Sequence, residues 1–183
     1  MILHLLRHGE STWNAQRRLQ GQTMGVPLTE LGRQQAQAAA AELASVPLAA
    51  VWSSDQVRAV QTADIIAAPH QLTPRLTPLL REQALGSLAG RLTSELTPEP
   101  VPEGQHISEV RWGGGESLAD VAVRLRVLLD ELRVAHAPDD QVVLVSHGDA
   151  LRVLLALLDG RTHREVDWVP LPNCGVHVRN LPC

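Results

Sequence analysis

Three short apolar runs, each followed by a segment of helical character, constrain the fold more than any other feature of this sequence. The runs cover residues 1–6, 48–53 and 141–146, and each stops abruptly at polar residues. Such short, almost wholly apolar runs are typical of strands that are buried on both faces. Strands that alternate with helices form a largely parallel sheet covered on both sides. We therefore predict a three-layer α/β/α fold.

Capping signals mark where helices begin. Thr29 precedes a helix predicted to reach about Ser45, and Ser117 with Asp120 resembles a capping box that opens another helix. A further helix is predicted over residues 150–158, which are apolar on nearly every side and are therefore expected to be buried. These helices supply the two outer layers of the predicted fold.

The helix that follows Ser117 is amphipathic. Its apolar side chains recur every three or four residues, as one buried face requires. Three arginines, Arg124, Arg126 and Arg133, lie elsewhere on this helix. We interpret all three as solvated charges.

One segment departs from the alternating pattern. Between Arg91 and Glu116, scattered prolines and a run of three glycines replace any strand or helix periodicity. No separate apolar core lies beyond this segment, so we interpret it as an irregular, lid-like insertion at about residues 91–115. A length of 183 residues suits one well-buried core, and we expect a single domain over residues 1–183.

Composition excludes several classes of protein. With 44% hydrophobic residues, 20% charged residues and a net charge of -4, we expect no disordered chain, no membrane span and no nucleic-acid-binding surface. The chain has no Tyr, and all of its basic residues other than His are Arg. Schiff-base enzymes, phosphate-loop lysines and tyrosine nucleophiles are therefore excluded.

The cysteines and the start of the chain bear on its compartment. Cys174 and Cys183 have no second pair, so neither a disulfide framework nor a cysteine zinc site is indicated. The apolar run at the start is too short for a signal peptide and has no basic segment before it. We expect a reducing, cytoplasmic location.

Charged side chains and imidazoles follow the predicted strands. Arg7 and His8 come after the first run, Arg58 lies in the helix after the second, and His147 follows the third. The carboxyl ends of parallel strands face the crevice where such folds bind ligands, and helix N-termini there favour anions. Two imidazoles and two guanidiniums around an anion match the needs of phosphoryl transfer.

The residues that carry this chemistry also carry a family resemblance. LLRHGESTWN at residues 5–14 resembles the signature of the histidine phosphatase superfamily, which includes the cofactor-dependent phosphoglycerate mutases. Further segments agree with the family in the same order, at residues 17–36, 53–63, 79–90, 113–117 and 143–155. The chain looks most like the broad-specificity and α-ribazole-type phosphatases of branch 1. The resemblance implies the phosphoglycerate mutase-like version of the predicted fold.

Individual site residues follow from that resemblance, position by position. It implies that His8 is the nucleophile that becomes phosphorylated and that Glu82 is the general acid and base. The phosphate pocket is expected to consist of Arg7, Arg58 and His147, with further substrate contacts from Asn14, Gln20, Gly21 and Gly148. Nearby arginines disfavour a further positive charge, which should keep His8 neutral for attack. No metal ion or other cofactor is expected.

The poorly matching stretch leaves the substrate open. Leu85, Leu88 and Ala89 stand where many family members have an aromatic residue and a Trp-Glu pair, and the lid region is shorter than in the mutases. A shorter lid admits water, so we favour hydrolysis of a small phosphorylated metabolite. Candidate substrates include sugar phosphates, phosphoglycerates, nucleotide-pathway intermediates and phosphoproteins. Trp112, beside the glycine run, is a candidate for contact with the pocket.

Three alternatives accompany the phosphatase hypothesis. The same pocket would serve a phosphoglycerate mutase, and the altered residues around Leu88 would suit a weakly catalytic module that binds phospho-ligands. A histidine zinc hydrolase is disfavoured because the spacing lacks HExxH and arginines repel a divalent cation. We expect no nucleic-acid or membrane partner, and either a monomer or a homodimer.

Overall fold

The structure, a computed structural model, describes residues 1–182 and is built around one five-stranded sheet. The strands are β1 (Ile2–Arg7), β2 (Leu48–Ser54), β3 (Arg75–Thr77), β4 (Gln141–Ser146) and β5 (Val176–Asn180). The α-helices are α1 (Thr12–Ala15), α2 (Glu30–Leu43), α3 (Val57–Ala67), α4 (Leu118–Ala135) and α5 (Gly148–Leu158). No helix within residues 1–182 is long and apolar enough to cross a membrane.

The sheet has the strand order β3-β2-β4-β1-β5 and is mostly parallel. β1 pairs with β4 in parallel, so that Arg7 lies opposite Ser146 at their carboxyl ends. Only β5 is antiparallel, on the edge beside β1. β3 and β5 were not foreseen, because β3 has three residues and β5 mixes polar with apolar side chains. The predicted α/β class with a mostly parallel sheet is confirmed.

Alternate residues of the central strands face two separate cores. Leu3 and Leu5 pack with α4 and α5, whereas Leu6 packs with α2 and α3 on the other face. β4 divides in the same way, with Val142 and Leu144 on the first face and Val143 and Val145 on the second. Helices therefore cover both faces of the sheet, which explains why these strands are apolar at almost every position.

The helix ends agree with the capping signals to within a few residues. The Thr29 hydroxyl accepts the Gly32 N–H at 3.0 Å, and α2 ends slightly before the predicted Ser45. The capping box of Ser117 and Asp120 is present at the start of α4. α5 begins earlier than predicted, at Gly148, directly after His147. This early start brings the N-terminus of α5 to the edge of the sheet where ligands are expected.

The interpretation of the α4 arginines is wrong for Arg124. Arg126 and Arg133 are exposed, but the Arg124 side chain is only 14% exposed and pairs with Glu116. Its guanidinium also donates hydrogen bonds to the carbonyl oxygens of Leu79 and Glu82. The loop after β3 packs over α4 at this point, and nothing in the helix periodicity reveals that contact.

The segment at about residues 91–115 contains only short 3-10 turns, and its lid-like role stays a prediction. The glycine run at the end of this segment packs tightly against the loop after β3. A Cβ atom on Gly115 would lie 2.0 Å from the carbonyl oxygen of Ala84, and one on Gly86 would lie 2.0 Å from that of Gly113. These glycines are therefore required by close backbone contact beside Glu82.

Candidate active site

The sequence-predicted catalytic side chains meet at the carboxyl edge of the sheet. His8 directly follows β1, His147 lies between β4 and α5, and Arg58 is in the first turn of α3. The ring centroids of His8 and His147 are 5.0 Å apart, and Arg58 Nε lies 3.2 Å from His147 Nδ1. The topology thus brings together residues that are far apart in the sequence.

His8 is oriented as a nitrogen nucleophile. Its Nδ1 atom lies 2.7 Å from the carbonyl oxygen of Gly9, which can only accept, so Nδ1 carries the proton. In the neutral ring, the lone pair is then on Nε2. The His8 side chain is buried, and its pKa is held well below its ordinary value by burial and by the positive charges of Arg58 and Arg7. His8 is therefore neutral at neutral pH, as an attacking imidazole must be.

His147 presents a proton to the same space. Because Arg58 Nε donates to His147 Nδ1, the proton of the neutral ring is on Nε2. That Nε2 atom is buried and has no hydrogen-bond partner among residues 1–182. Burial and the charge of Arg58 lower the pKa of His147 well below its ordinary value. A buried N–H group without an acceptor destabilises the protein, so binding of a ligand oxygen atom at His147 Nε2 is strongly favoured.

The two arginines are anchored by main-chain carbonyls. Arg58 is fully buried and donates to the carbonyl oxygens of Gly21 and Thr23, both at 2.9 Å. Arg7 donates to the Leu171 carbonyl at 2.8 Å, but its Nε is buried without a partner in the described part of the chain. Desolvation lowers the pKa of Arg58 to about 10, so it remains charged. Fixed guanidiniums of this kind suit the oxygens of a phosphate.

Glu82 caps the N-terminus of α5. Its carboxylate accepts hydrogen bonds from three backbone N–H groups, those of Gln83, Asp149 and Ala150, at distances from 3.0 to 3.3 Å. At Gly148, a Cβ atom would lie 3.7 Å from Glu82 Oε2 and 3.9 Å from Arg7 Nε. Gly148 therefore lies where the carboxylate and the phosphate pocket adjoin.

The candidate residues Asn14 and Gln20 are tied to Ser11. The Ser11 hydroxyl lies 3.0 Å from Asn14 Oδ1 and 2.8 Å from Gln20 Oε1. With both amide oxygens directed at Ser11, the amide N–H groups are the atoms that these side chains offer to other partners. Gly21 contributes its carbonyl to Arg58 and has a φ of 47°, in the left-handed region that favours glycine.

Several residues that hold the site together were missed from the sequence. Gln56, fully buried, donates to the carbonyls of Gly21 and Thr23 and accepts the backbone N–H of Glu82 at 2.9 Å. Asn173 donates to the His8 carbonyl at 2.7 Å. Gln56 lies inside a segment that resembles the family, but only the folded chain shows that it bridges two loops. Asn173 lies outside every such segment.

Asp149 is a second, partly buried carboxyl beside Glu82. Desolvation and the charge of Glu82 raise the pKa of Asp149 to about 6, although Arg152 donates to it at 2.8 Å. Asp149 also lines a cavity next to the phosphate pocket.

Within residues 1–182, no three His, Cys, Asp or Glu side chains are grouped as metal ligands would be.

Comparison with protein families identifies the class. Residues 3–181 match the histidine phosphatase superfamily (branch 1), and the chain belongs to that family. A relative in Photorhabdus laumondii, described as the probable phosphoglycerate mutase GpmB, is 37% identical over 181 residues, covering 95% of this chain and 82% of that protein. A protein with the same description in Yersinia pestis is 38% identical over 186 residues, with the same coverage.

Solved structures with the same fold include several phosphatases. A mycobacterial glucosyl-3-phosphoglycerate phosphatase with bound VO3 has a TM-score of 0.86 and 33% identity, covering 97% of this chain and 90% of that one. Phosphoserine phosphatase from Entamoeba histolytica, in complex with 3-phosphoglyceric acid, has a TM-score of 0.81 and 26% identity, covering 97% and 89%. The predicted family, fold and phosphatase class are confirmed. The roles of single residues and the domain boundaries stay predictions.

Proposed function

We propose that this protein hydrolyses phosphomonoesters through a phosphohistidine formed on His8. The observation that carries the proposal is the pairing of a lone pair on His8 Nε2 with two buried donors, His147 Nε2 and Arg7 Nε, that have no partner within the described chain. A phosphoryl group between them would satisfy both donors while its phosphorus faces the nucleophile. The substrate would be a small phosphorylated metabolite, and we retain the prediction of a cytoplasmic location.

In the first step, His8 Nε2 attacks phosphorus and the ester P–O bond breaks. The leaving oxygen takes a proton from the carboxyl group of Glu82, and the alcohol departs. Arg7, Arg58 and the Nε2–H of His147 stabilise the charge on the phosphoryl oxygens, because they are held in place before the reaction begins. Glu82 is suited to the transfer because its backbone hydrogen bonds fix the carboxylate beside the pocket.

In the second step, a water molecule attacks the phosphorus of the phosphohistidine. The carboxylate of Glu82 accepts a proton from this water, the P–N bond breaks, and His8 regains its lone pair. Inorganic phosphate is released, and Glu82 is again protonated for the next cycle. Every proton and bond is restored without a metal ion.

The experiment is hydrolysis of p-nitrophenyl phosphate by the wild-type protein and by His8→Ala. We expect a loss in kcat of at least about a thousandfold, together with an alkali-stable, acid-labile phosphoprotein that forms only in the wild type. His70→Ala, at the end of a short 3-10 turn after α3, is the matched control and should retain full activity. Near-normal turnover by His8→Ala would overturn the proposal.

Phosphoglycerate mutase activity is the second candidate, and the descriptions of the curated relatives favour it. The same phosphohistidine would then return its phosphoryl group to a second oxygen of the bound glycerate instead of to water. Incubation with 3-phosphoglycerate and a bisphosphoglycerate primer separates the two activities. Release of inorganic phosphate without isomer supports the phosphatase, whereas isomer formed faster than phosphate supports the mutase.

A further inference from the structure

A cavity of about 600 Å³ adjoins the proposed phosphate pocket. Gln83, next to Glu82, and Asp149, whose N–H binds the Glu82 carboxylate, belong to its wall. Leu85 also lines it and lies against Gly21, where a Cβ atom would come within 3.3 Å of the Leu85 Cβ. Gly21 in turn binds Arg58. An ester whose phosphate lies beside His8 would therefore place its alcohol portion in or against this cavity.

The cavity wall is mainly apolar. Ten of its sixteen lining residues are apolar, and they include the indole rings of Trp112 and Trp168. Three of the large apolar side chains remain exposed to solvent: Leu96 by 37%, Ile107 by 55% and Trp168 by 64%. Exposed apolar side chains that cluster around one concave site are unfavourable in water and gain stability when an apolar ligand covers them.

The charges at the cavity wall give an anionic alcohol portion little stabilisation. The wall contains two carboxylates, Asp149 and Glu99, and one exposed guanidinium, that of Arg91, while the Arg152 guanidinium lies 5.6 Å from the centre of the Trp168 ring. Asp149 lies nearest to the phosphate pocket, and its partner Arg152 already donates to it at 2.8 Å. With a pKa raised to about 6, Asp149 is mainly ionised at neutral pH. A carboxylate on the substrate would lose its hydration against the mainly apolar wall, while Arg152 is already paired with Asp149.

We propose that this site selects monoesters of neutral, apolar alcohols, such as arylalkyl or branched alkyl phosphates, over esters of glycerol, sugars or glycerate. The inference rests on the proposed phosphatase function, since it takes His8 as the place where the phosphate binds. Hydroxyl-rich alcohols would lose their hydration against leucine, isoleucine and tryptophan side chains and would find few hydrogen-bond partners in exchange. Apolar alcohols lose nothing of this kind and bury apolar surface.

The test compares three esters of primary alcohols: 3-phenylpropyl phosphate, glycerol 3-phosphate and 3-phosphoglycerate. Because the bond that breaks is of the same type in each, differences in kcat/KM report the environment of the alcohol portion. We expect kcat/KM for 3-phenylpropyl phosphate to exceed that for glycerol 3-phosphate by at least about tenfold. 3-Phosphoglycerate should be the poorest substrate of the three.

Variants of the exposed wall connect the preference to the cavity. Ile107→Asn combined with Trp168→Ser removes apolar surface at positions that are mostly exposed, so the fold should tolerate both changes. We expect kcat/KM for 3-phenylpropyl phosphate to fall at least about fivefold more than that for glycerol 3-phosphate. Val134→Asn, on the outer face of α4 and 89% exposed, is the matched control and should change neither value.

The outcomes separate this inference from the function on which it rests. If no ester is hydrolysed in a manner that depends on His8, both the function and the inference fail. If hydrolysis depends on His8 but glycerol 3-phosphate or 3-phosphoglycerate is the better substrate, the function stands and the inference is overturned. An apolar preference that survives Ile107→Asn with Trp168→Ser equally overturns it, because the preference then lies outside this cavity.

Discussion

The phosphate pocket and the adjoining cavity are built on opposite principles. The pocket gathers buried, hydrogen-bonded side chains, with His8 only 2% exposed and both Arg58 and His147 fully buried. His8 and His147 directly follow parallel strands, and Arg58 lies in the first turn of α3. The cavity wall is apolar and partly exposed, and much of it comes from irregular segments, including part of the 91–115 insertion. Reaction chemistry is therefore held by the rigid sheet, whereas selectivity belongs to segments that can vary without disturbing it.

Arg58→Lys tests the phosphate pocket and should have a larger effect than any substitution outside that pocket. Lysine keeps the charge, but its single nitrogen cannot occupy the three positions from which the guanidinium nitrogens reach His147, Gly21 and Thr23. A buried ring and two carbonyls therefore lose their fixed partner. We expect kcat/KM to fall by about a hundredfold or more. The loss should be equal for 3-phenylpropyl phosphate and glycerol 3-phosphate, as steady-state hydrolysis of both esters will show.

Arg126→Lys is the control for this substitution, since Arg126 is exposed on α4 and should tolerate the change without loss of rate. A large change in the ratio of the two rates in Arg58→Lys would contradict the separation of the two regions. It would mean that the arginine acts on the alcohol portion as well as on the phosphate.

Most of the phosphate pocket could be predicted from the sequence because most of its side chains have a local signal. Arg7, His8 and His147 directly follow apolar runs, and the parallel arrangement that those runs predict places their ends side by side. Arg58 lies in the helix that follows the second run, whereas Glu82 needed the family resemblance because it follows no such run. The structure brings all five together, and their chemical roles stay predictions until variants are measured.

The residues that hold the pocket in place and the shape of the cavity could not be predicted from the sequence. Arg124 has the sequence context of any surface arginine on an amphipathic helix, and its burial depends on a loop some forty residues earlier in the chain. Gln56 bridges two loops that only the folded chain brings together. The cavity collects side chains from separate irregular segments, where no periodicity relates one residue to the next.

Arg124→Met tests the boundary between the phosphate pocket and the cavity. The substitution removes hydrogen bonds to Leu79, Glu82 and Glu116, which hold the loop that carries the proposed general acid, Glu82. We expect kcat for 3-phenylpropyl phosphate to fall by about tenfold, because a displaced carboxyl protonates the alkoxide less well. Hydrolysis of p-nitrophenyl phosphate should fall less, since its leaving group needs little protonation.

Arg133→Met is the matched control, because Arg133 lies on the same helix in an exposed pair with Asp130. It should leave both rates unchanged. An equal loss on the alkyl and nitrophenyl esters in Arg124→Met would indicate a general loss of folded protein. Thermal unfolding of the variant, measured in parallel, would show that directly.

The smallest expected effect is a dependence of stability on pH that belongs to the pocket alone. The pKa values of His8 and His147 lie well below 6.5 in the folded protein, so both rings take up protons on unfolding in mildly acidic solution. Their contribution to the free energy of unfolding is complete above that pH and is lost as the pH falls. The two rings together contribute a slope of up to about 2.7 kcal/mol per pH unit, which they reach about one pH unit below 6.5, before the opposing effect of Asp149 is counted.

Asp149 acts in the opposite direction at lower pH. Its folded pKa, raised from 3.8 to about 6, means that the folded protein takes up this proton first, which stabilises the fold as the pH drops below about 6. Asp149→Asn should therefore steepen the fall of the free energy of unfolding in acid. His8→Asn should make that fall less steep, because about one proton fewer is taken up on unfolding. Urea unfolding at a series of pH values measures each slope. Ile107→Asn should leave the slope of the free energy of unfolding against pH as in the wild type, because the exposed cavity wall contributes no buried histidine. A changed slope in this variant would show that the cavity wall and the phosphate pocket are energetically coupled.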